Sequence, residues 1–156
     1  MKHNKKPFDI IVVGGGHAGI EAAHIAAFRG HSVCLVTMDK KAIGRMSCNP
    51  SIGGLAKGQM VREIDILGGL MGRLSDVSGL QYKMLNKSKG RSVWSPRAQI
   101  DKRRYESLAV ASITSNKNIS IKNGEVVGLS FFSDVLSGVV LRSGDIIRGN
   151  AIVITC

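Results

Sequence analysis

A glycine triad set between two apolar runs constrains this chain more than any other feature. Asp9 to Val13 is a short apolar run of buried-strand type. Gly14, Gly16 and Gly19 follow with G-x-G-x-x-G spacing, and an alanine-rich segment then leads to a second apolar run, Ser32 to Thr37. Each glycine has a distinct physical task. Gly14 permits a tight strand-to-helix turn, Gly16 lets the backbone approach a pyrophosphate with no Cβ in the way, and Gly19 lets the helix pack closely on the strand. An anion then rests on the unpaired N–H groups at the positive end of the helix. The pattern therefore reads as a dinucleotide cradle, for FAD or for NAD, within a Rossmann-like α/β domain.

The rest of the chain extends that reading. Ala18 to Arg29 is expected to be helical, with Ala22, Ile25 and Ala26 facing the core and Gly30 closing the helix end. Ser32 to Thr37 is the second parallel strand. Met38 to Gly54 is a long connection, and a helix from about Leu55 to Leu67 ends at Gly68-Gly69. Leu74 to Ser95 carries no clear period. Arg97 to Thr114 reads as helix, with Ile100, Leu108 and Ala111 as core positions. Four short strands are expected at Ile119 to Lys122, Glu125 to Phe132, Gly138 to Leu141 and Asp145 to Arg148, the last three as an antiparallel meander on the parallel sheet. Ala151 to Thr155 is a final buried-type strand.

The fold class that results is α/β: a Rossmann-like FAD-binding domain of glutathione-reductase type, a parallel sheet plus an antiparallel meander. Residues 1–156 are read as one dinucleotide-binding domain, incomplete at its C-terminal end, because the chain stops at Cys156 where a doubly wound sheet presents its ligand edge.

Charge adds a partner class. With 22 Lys and Arg against 11 Asp and Glu, the formal charge is +11, which points to a polyanion, nucleic acid first and an anionic membrane second. The excess is concentrated in Lys83, Lys87, Lys89, Arg91, Arg97, Lys102, Arg103 and Arg104, with Asp101 the lone acid of that stretch. Tyr82, Trp94 and Tyr105 lie among them as possible stacking rings. The three cysteines, Cys34, Cys48 and Cys156, form neither a disulfide framework nor a metal-ligand spacing, which suits a reducing, cytoplasmic setting with no metal site. No stretch approaches the length of a membrane span.

Five segments together resemble one family. They are Gly-Gly-Gly-His-Ala-Gly-Ile-Glu-Ala-Ala at 14–23, Ser-Cys-Asn-Pro-Ser-Ile-Gly-Gly at 47–54, the run from Lys57 to Met71, Leu-Asn-Lys-Ser-Lys-Gly at 85–90, and Ser-Pro-Arg-Ala-Gln-Ile-Asp at 95–101. The chain thereby resembles the FAD-dependent tRNA uridine 5-carboxymethylaminomethyl modification enzymes, the glucose-inhibited division protein A family, from about Phe8 to Cys156. The resemblance implies the N-terminal portion of an enzyme that adds an aminomethyl or carboxymethylaminomethyl group at C5 of the tRNA wobble uridine. Methylene-tetrahydrofolate gives the carbon, FAD mediates, and NADH is the reductant. It also implies a homodimer, a partner GTPase, and a nicotinamide-binding insertion and helical tRNA-binding end beyond this chain. Two rival readings stand beside it: a flavin oxidoreductase of a small molecule, and a catalytically inactive flavin- or RNA-binding fragment.

Site residues follow from motif and resemblance. Gly14, Gly15, Gly16, His17, Ala18 and Gly19 are expected at the FAD pyrophosphate, His17 capping or lining the turn. The strand end where a ribose-binding acid is usual reads Thr37-Met38-Asp39, so Thr37 or Asp39 would take that contact. Asn49, Gly53 and Gly54 bring backbone or amide groups toward the isoalloxazine ring. The resemblance gives Val126 a backbone contact to adenine. Cys48 is the candidate catalytic thiol: C5 of uracil is a poor nucleophile until a group adds at C6, and a thiolate suits that addition. A helix opened by Pro50 and Ser51, with Arg45 and Lys57 nearby in sequence, would lower its pKa. Cys34, within a strand, is expected to be structural.

Overall fold

A computed structural model describes residues 6–47 and 49–155, in two compact units: one from the residues through Ile43 and from Ser112 onward, the other from Gly44 to Ala111. The first unit is a six-stranded sheet. Its strands are β1 (Phe8–Val13), β2 (Val33–Thr37), β6 (Ile119–Asn123), β7 (Val126–Phe132), β8 (Val135–Leu141) and β9 (Ile146–Ile154), ordered β6-β2-β1-β9-β8-β7. β1 runs parallel to β2 and β9, and β2 parallel to β6. β7, β8 and β9 are antiparallel neighbours.

Helix α1 (His17–Phe28) buries Gly19, Ile20, Ala23, Ala26 and Ala27. The expected core face, Ala22, Ile25 and Ala26, is thus rotated. Ile20 and Ala23 are fully buried while Ala22 and Ile25 are only half-buried, the helix lying against the end of β1 at Gly19, where a Cβ would overlap the Gly14 carbonyl oxygen. Gly30 closes the helix as expected: its N–H donates to the Ala27 carbonyl and that of His31 to the Ala26 carbonyl. Ile11, Cys34, Val36, Val139, Leu141 and Ile147 form a core cluster drawn from β1, β2, β8 and β9.

The two strands expected at Asp145 to Arg148 and Ala151 to Thr155 are one, β9. Its first residues pair antiparallel with β8 and its later ones parallel with β1. Gly149 makes the passage: a Cβ there would stand 2.6 Å from Ile11 Cγ1. β8 also starts earlier than expected, at Val135, because the Ser133-Asp134 turn at positive φ closes a hairpin with β7.

The second unit is a three-stranded antiparallel sheet, β3 (Ser51–Gly53), β4 (Gly79–Leu85) and β5 (Ser95–Ile100), ordered β3-β5-β4, with helices α2 (Lys57–Ile66) and α3 (Met71–Ser78). The region from Leu74 to Ser95 that lacked a period divides into the end of α3, β4 and two short 3₁₀ turns. Arg97 to Ile100 is strand rather than the start of a helix. Helix α4 (Lys102–Thr114) begins only after Asp101, whose Oδ1 accepts from the Arg104 N–H at 3.1 Å. On α4 the buried positions are Tyr105, Ala109 and Ile113, four residues apart, whereas Leu108 is half-buried and Ala111 exposed. Ile100 is buried, but from the strand.

Candidate functional site

The glycine turn is positioned from three sides. The Gly14 N–H donates to the Val36 carbonyl at 2.9 Å, which fixes the end of β1 against β2. Thr155 closes the other side, where β9 ends: its N–H and its Oγ1 both donate to the Val13 carbonyl, at 2.9 and 2.8 Å. Gly14 itself sits at φ +109, a conformation open to glycine, and a Cβ there would lie 2.6 Å from Thr155 Oγ1. A Cβ on Gly19 would overlap the Gly14 carbonyl oxygen, and one on Gly15 would lie 2.8 Å from Thr37 Oγ1.

Gly16 differs from all three. A Cβ there meets no atom within 4 Å, and the residue is the N-cap of α1, without a side-chain cap and with no acid in the first turn of the helix. Gly16 and Ala18 are exposed. The first turn of α1 therefore presents N–H groups and the positive end of the helix dipole to open space, the arrangement that suits a phosphate.

Thr37, at the end of β2, is buried. Its hydroxyl lies 3.3 Å from the Asp39 carbonyl and 3.4 Å from the Asp39 N–H. Asp39 is exposed and its Oδ1 accepts from the Lys41 N–H at 2.8 Å, capping a 3₁₀ turn, Lys40–Ala42. The hydroxyl thus backs Gly15, while the exposed carboxylate stands at the strand end. Val126 opens β7 opposite Leu141 and packs half-buried against the core cluster. His17 is half-buried in the turn.

In the second unit, Gly53 and Gly54 have separate roles. A Cβ on Gly53 would overlap the Pro96 carbonyl, so this glycine serves packing. Gly54, at φ +106, has nothing within 4 Å of its missing Cβ. Its N–H donates to the Pro96 carbonyl at 3.0 Å, and its own carbonyl accepts from Ser95 Oγ and the Gly58 N–H. Asn49 is exposed, its carbonyl accepting from the Ser51 N–H at 2.7 Å. Pro50 and Ser51 open no helix: Ser51 begins β3, and α2 starts at Lys57 behind Ala56. A cavity of about 470 Å³ in this unit is lined by Ile52, Val61, Arg62, Asp65, Tyr82 and Ala98 among others, a feature no sequence period announced.

Cys48 and Cys156 lie outside the described residues. Cys34 is fully buried in the core cluster, and burial pushes its thiol up to about 11, against a small opposing pull from Lys122. It is a structural residue, as expected.

A parallel sheet whose first strand feeds a glycine turn and an open helix N-terminus defines a Rossmann-like dinucleotide-binding fold. Residues 9–156 match the family model described as Glucose inhibited division protein A, and the chain belongs to that family. It is 49% identical over 149 residues to the tRNA uridine 5-carboxymethylaminomethyl modification enzyme MnmG of Chlorobium phaeobacteroides, covering 96% of this chain and 24% of that relative. The solved structure of Aquifex aeolicus GidA superposes with a TM-score of 0.90 at 47% identity, over 96% of this chain and 25% of that one. A glycerol-3-phosphate dehydrogenase from Bacillus halodurans, solved in complex with FAD, shares the fold at TM-score 0.63 and 16% identity, over 97% of this chain and 34% of that one. The chain spans about a quarter of the length of the family relatives it matches.

Proposed function

We propose that this chain is the FAD-binding portion of an enzyme that modifies the wobble uridine of tRNA at C5. The observation that carries the reading is the open cradle at Gly16, in a chain whose family membership runs from residue 9 to 156. The residues present fit FAD. The N-terminal amides of α1, reached past Gly14, Gly15, Gly16, His17, Ala18 and Gly19, would hold its pyrophosphate. Asp39, with Thr37 behind it, would take the ribose, and the backbone of Val126 the adenine. When bound, FAD supplies two-electron redox chemistry.

The chain's own contribution to reactivity is assigned to Cys48. Its thiolate would add to C6 of the uracil, forming a C–S bond and leaving C5 nucleophilic. Loss of the C5 proton and expulsion of the thiolate from C6 would restore the ring once C5 has been substituted. The remaining parts of the reading concern the longer enzyme: methylene-tetrahydrofolate as carbon donor, NADH as reductant, a partner GTPase, a homodimer and a cytoplasmic location. Their support is the 49% identity to a relative bearing the modification enzyme's name.

The test begins with the cofactor. The purified chain is denatured and the released nucleotide identified by absorbance and mass. FAD is the expected product. Recovery of a nicotinamide dinucleotide without flavin would overturn the cofactor assignment.

A further inference from the structure

We propose that the hairpin joining β4 to β5 binds single-stranded RNA, with Trp94 stacking on a base and Lys87, Lys89 and Arg91 taking the flanking phosphates. The choice of RNA rests on the function proposed above, and the surface itself is argued from its construction.

From Val77 to Ile100 the sequence has no acid and five cations, Lys83, Lys87, Lys89, Arg91 and Arg97. Lys83 and Arg97 are directly opposite one another in the antiparallel register. Like charges so placed cost stability. None of the five cations is in an ion pair among the described residues. Asp65 and Asp76 line the same cavity as Lys83 and Arg97, whereas the loop cations Lys87, Lys89 and Arg91 are not part of that lining and leave a positive patch, the footprint that a phosphate chain compensates.

The loop is built, not slack. Asn86 adopts a left-handed conformation and its Nδ2 donates to the Val93 carbonyl at 3.3 Å. The N–H groups of Val93 and Trp94 donate to the carbonyls of Gly90 and Arg91, at 3.3 and 3.2 Å. These bonds present the indole of Trp94, 37% exposed. Its Nε1–H donates to the Lys87 carbonyl at 3.2 Å, and the Arg91 guanidinium carbon stands 5.8 Å from the ring centroid. A ring held at one edge, with the Arg91 guanidinium over it, is fixed in place and loses little freedom on binding. The other two rings named from sequence do not serve. Tyr105 is fully buried, and Tyr82, although exposed, stands on β4 outside the loop that carries Lys87, Lys89 and Arg91.

Stacking needs an unpaired base, whereas cations alone bind duplex and single strand alike. That distinction supplies the test. Trp94 is the chain's one tryptophan, so its fluorescence reports on this site alone. Titration of the intact chain with a 12-residue oligouridine should give saturable quenching, and an RNA duplex of equal length should give little. Affinity of each variant is read from the anisotropy of end-labelled oligouridine. Trp94→Ala should weaken binding about 5-fold or more, the cost of one lost base–aromatic stack, and Trp94→Phe should retain most of it. Lys87→Ala, Lys89→Ala and Arg91→Ala together should flatten the dependence of log K on log salt by about 2, at roughly 0.7 per phosphate contact. Binding without quenching, equal quenching by duplex, or an unchanged affinity for Trp94→Ala would each overturn the proposal. The wild-type titration decides it even if a variant fails to fold. Flavin content is measured on the same preparation, so failure of the cofactor assignment and failure of the RNA contact are separate results.

Discussion

Thr155 and Val13 are joined twice: the N–H and the Oγ1 of Thr155 both reach the Val13 carbonyl, at 2.9 and 2.8 Å. The bond pair spans 142 residues and brings the end of β9 onto the last residue before the glycine turn. The turn is therefore shaped by its neighbours β2 and β9 and not by its own sequence alone. Thr155 Oγ1 also occupies the space that a Cβ on Gly14 or Gly19 would need.

The glycines should consequently fail in different ways. Gly16→Val places a branched side chain in open space, so the fold should survive at a cost of about 1 kcal/mol for a poorer N-cap, while FAD retention is lost. Gly19→Ala drives a methyl into the Gly14 carbonyl. The helix-propensity gain of about 1 kcal/mol does not offset a backbone collision, and a net loss of about 1–3 kcal/mol is expected. Thermal melts beside flavin absorbance separate the two. Full flavin retention by Gly16→Val would remove the pyrophosphate from this turn.

Asp9 should give the fold part of its acid sensitivity. The Ser32 N–H and Oγ donate to its Oδ2 at 2.8 and 2.7 Å, and these bonds, the backbone one first, hold its carboxyl below the usual carboxylate range. A depressed folded pKa means stability that is complete above the unfolded value, near 3.8, and lost as pH falls through the folded one. Asp9→Asn should therefore flatten the stability profile below about pH 4, read from urea midpoints across pH. An unchanged profile would show that the Ser32 contact is not formed in solution.

Cysteine labelling tests burial and reactivity together. Cys34 is fully buried with its thiol pushed up to about 11, so iodoacetamide at about pH 8 should reach Cys34 only after denaturation. The raised value has a second consequence. An unfolded thiol ionises near 9 while the folded one resists until about 11, so the folded state loses stability as pH rises across that window. Mass mapping of alkylated peptides checks the first claim, and comparison with Cys34→Ala melts checks the second. Early alkylation of Cys34 would contradict its place in the core.

Much of this was legible because it is local. The first strand, the glycine spacing and the Gly30 cap depend on residues adjacent in the chain. What was not legible depends on distant partners. Pro96 to Ile100 has no strand signal of its own; it is a strand because Gln99 pairs with Ser51 and Arg97 with Lys83. The start of α4 was marked by Asp101, a capping residue that the helical reading ran across. Gly149-Asn150 looked like a break between strands, yet Gly149 is there to pass Ile11. In the site, the spacing identified the glycines but could not sort them. Gly15 is a packing glycine because of Thr37, and Gly53 because of Pro96, while Gly16 and Gly54 alone among the site glycines face open space.

The catalytic assignment rests on Cys48, and its test requires the enzyme at full family length, since this chain covers about a quarter of its relatives. Cys48→Ser should keep FAD, because the thiol is no part of the turn from Gly14 to Gly19, and should lose modification of the wobble uridine. Serine is nearly isosteric, but its hydroxyl is scarcely ionised at neutral pH and cannot replace a thiolate adding to C6. α2 begins only at Lys57, so Pro50 and Ser51 open no helix. The alkylation rate of Cys48 against pH measures the pKa of its thiol directly. Mass analysis of tRNA nucleosides, beside the flavin absorbance of the same preparation, reads the outcome. Near-normal modification by the serine enzyme would exclude an essential thiol, and joint loss of flavin and activity would make Cys48 structural. Flavin retained with modification lost is the result expected of a nucleophile.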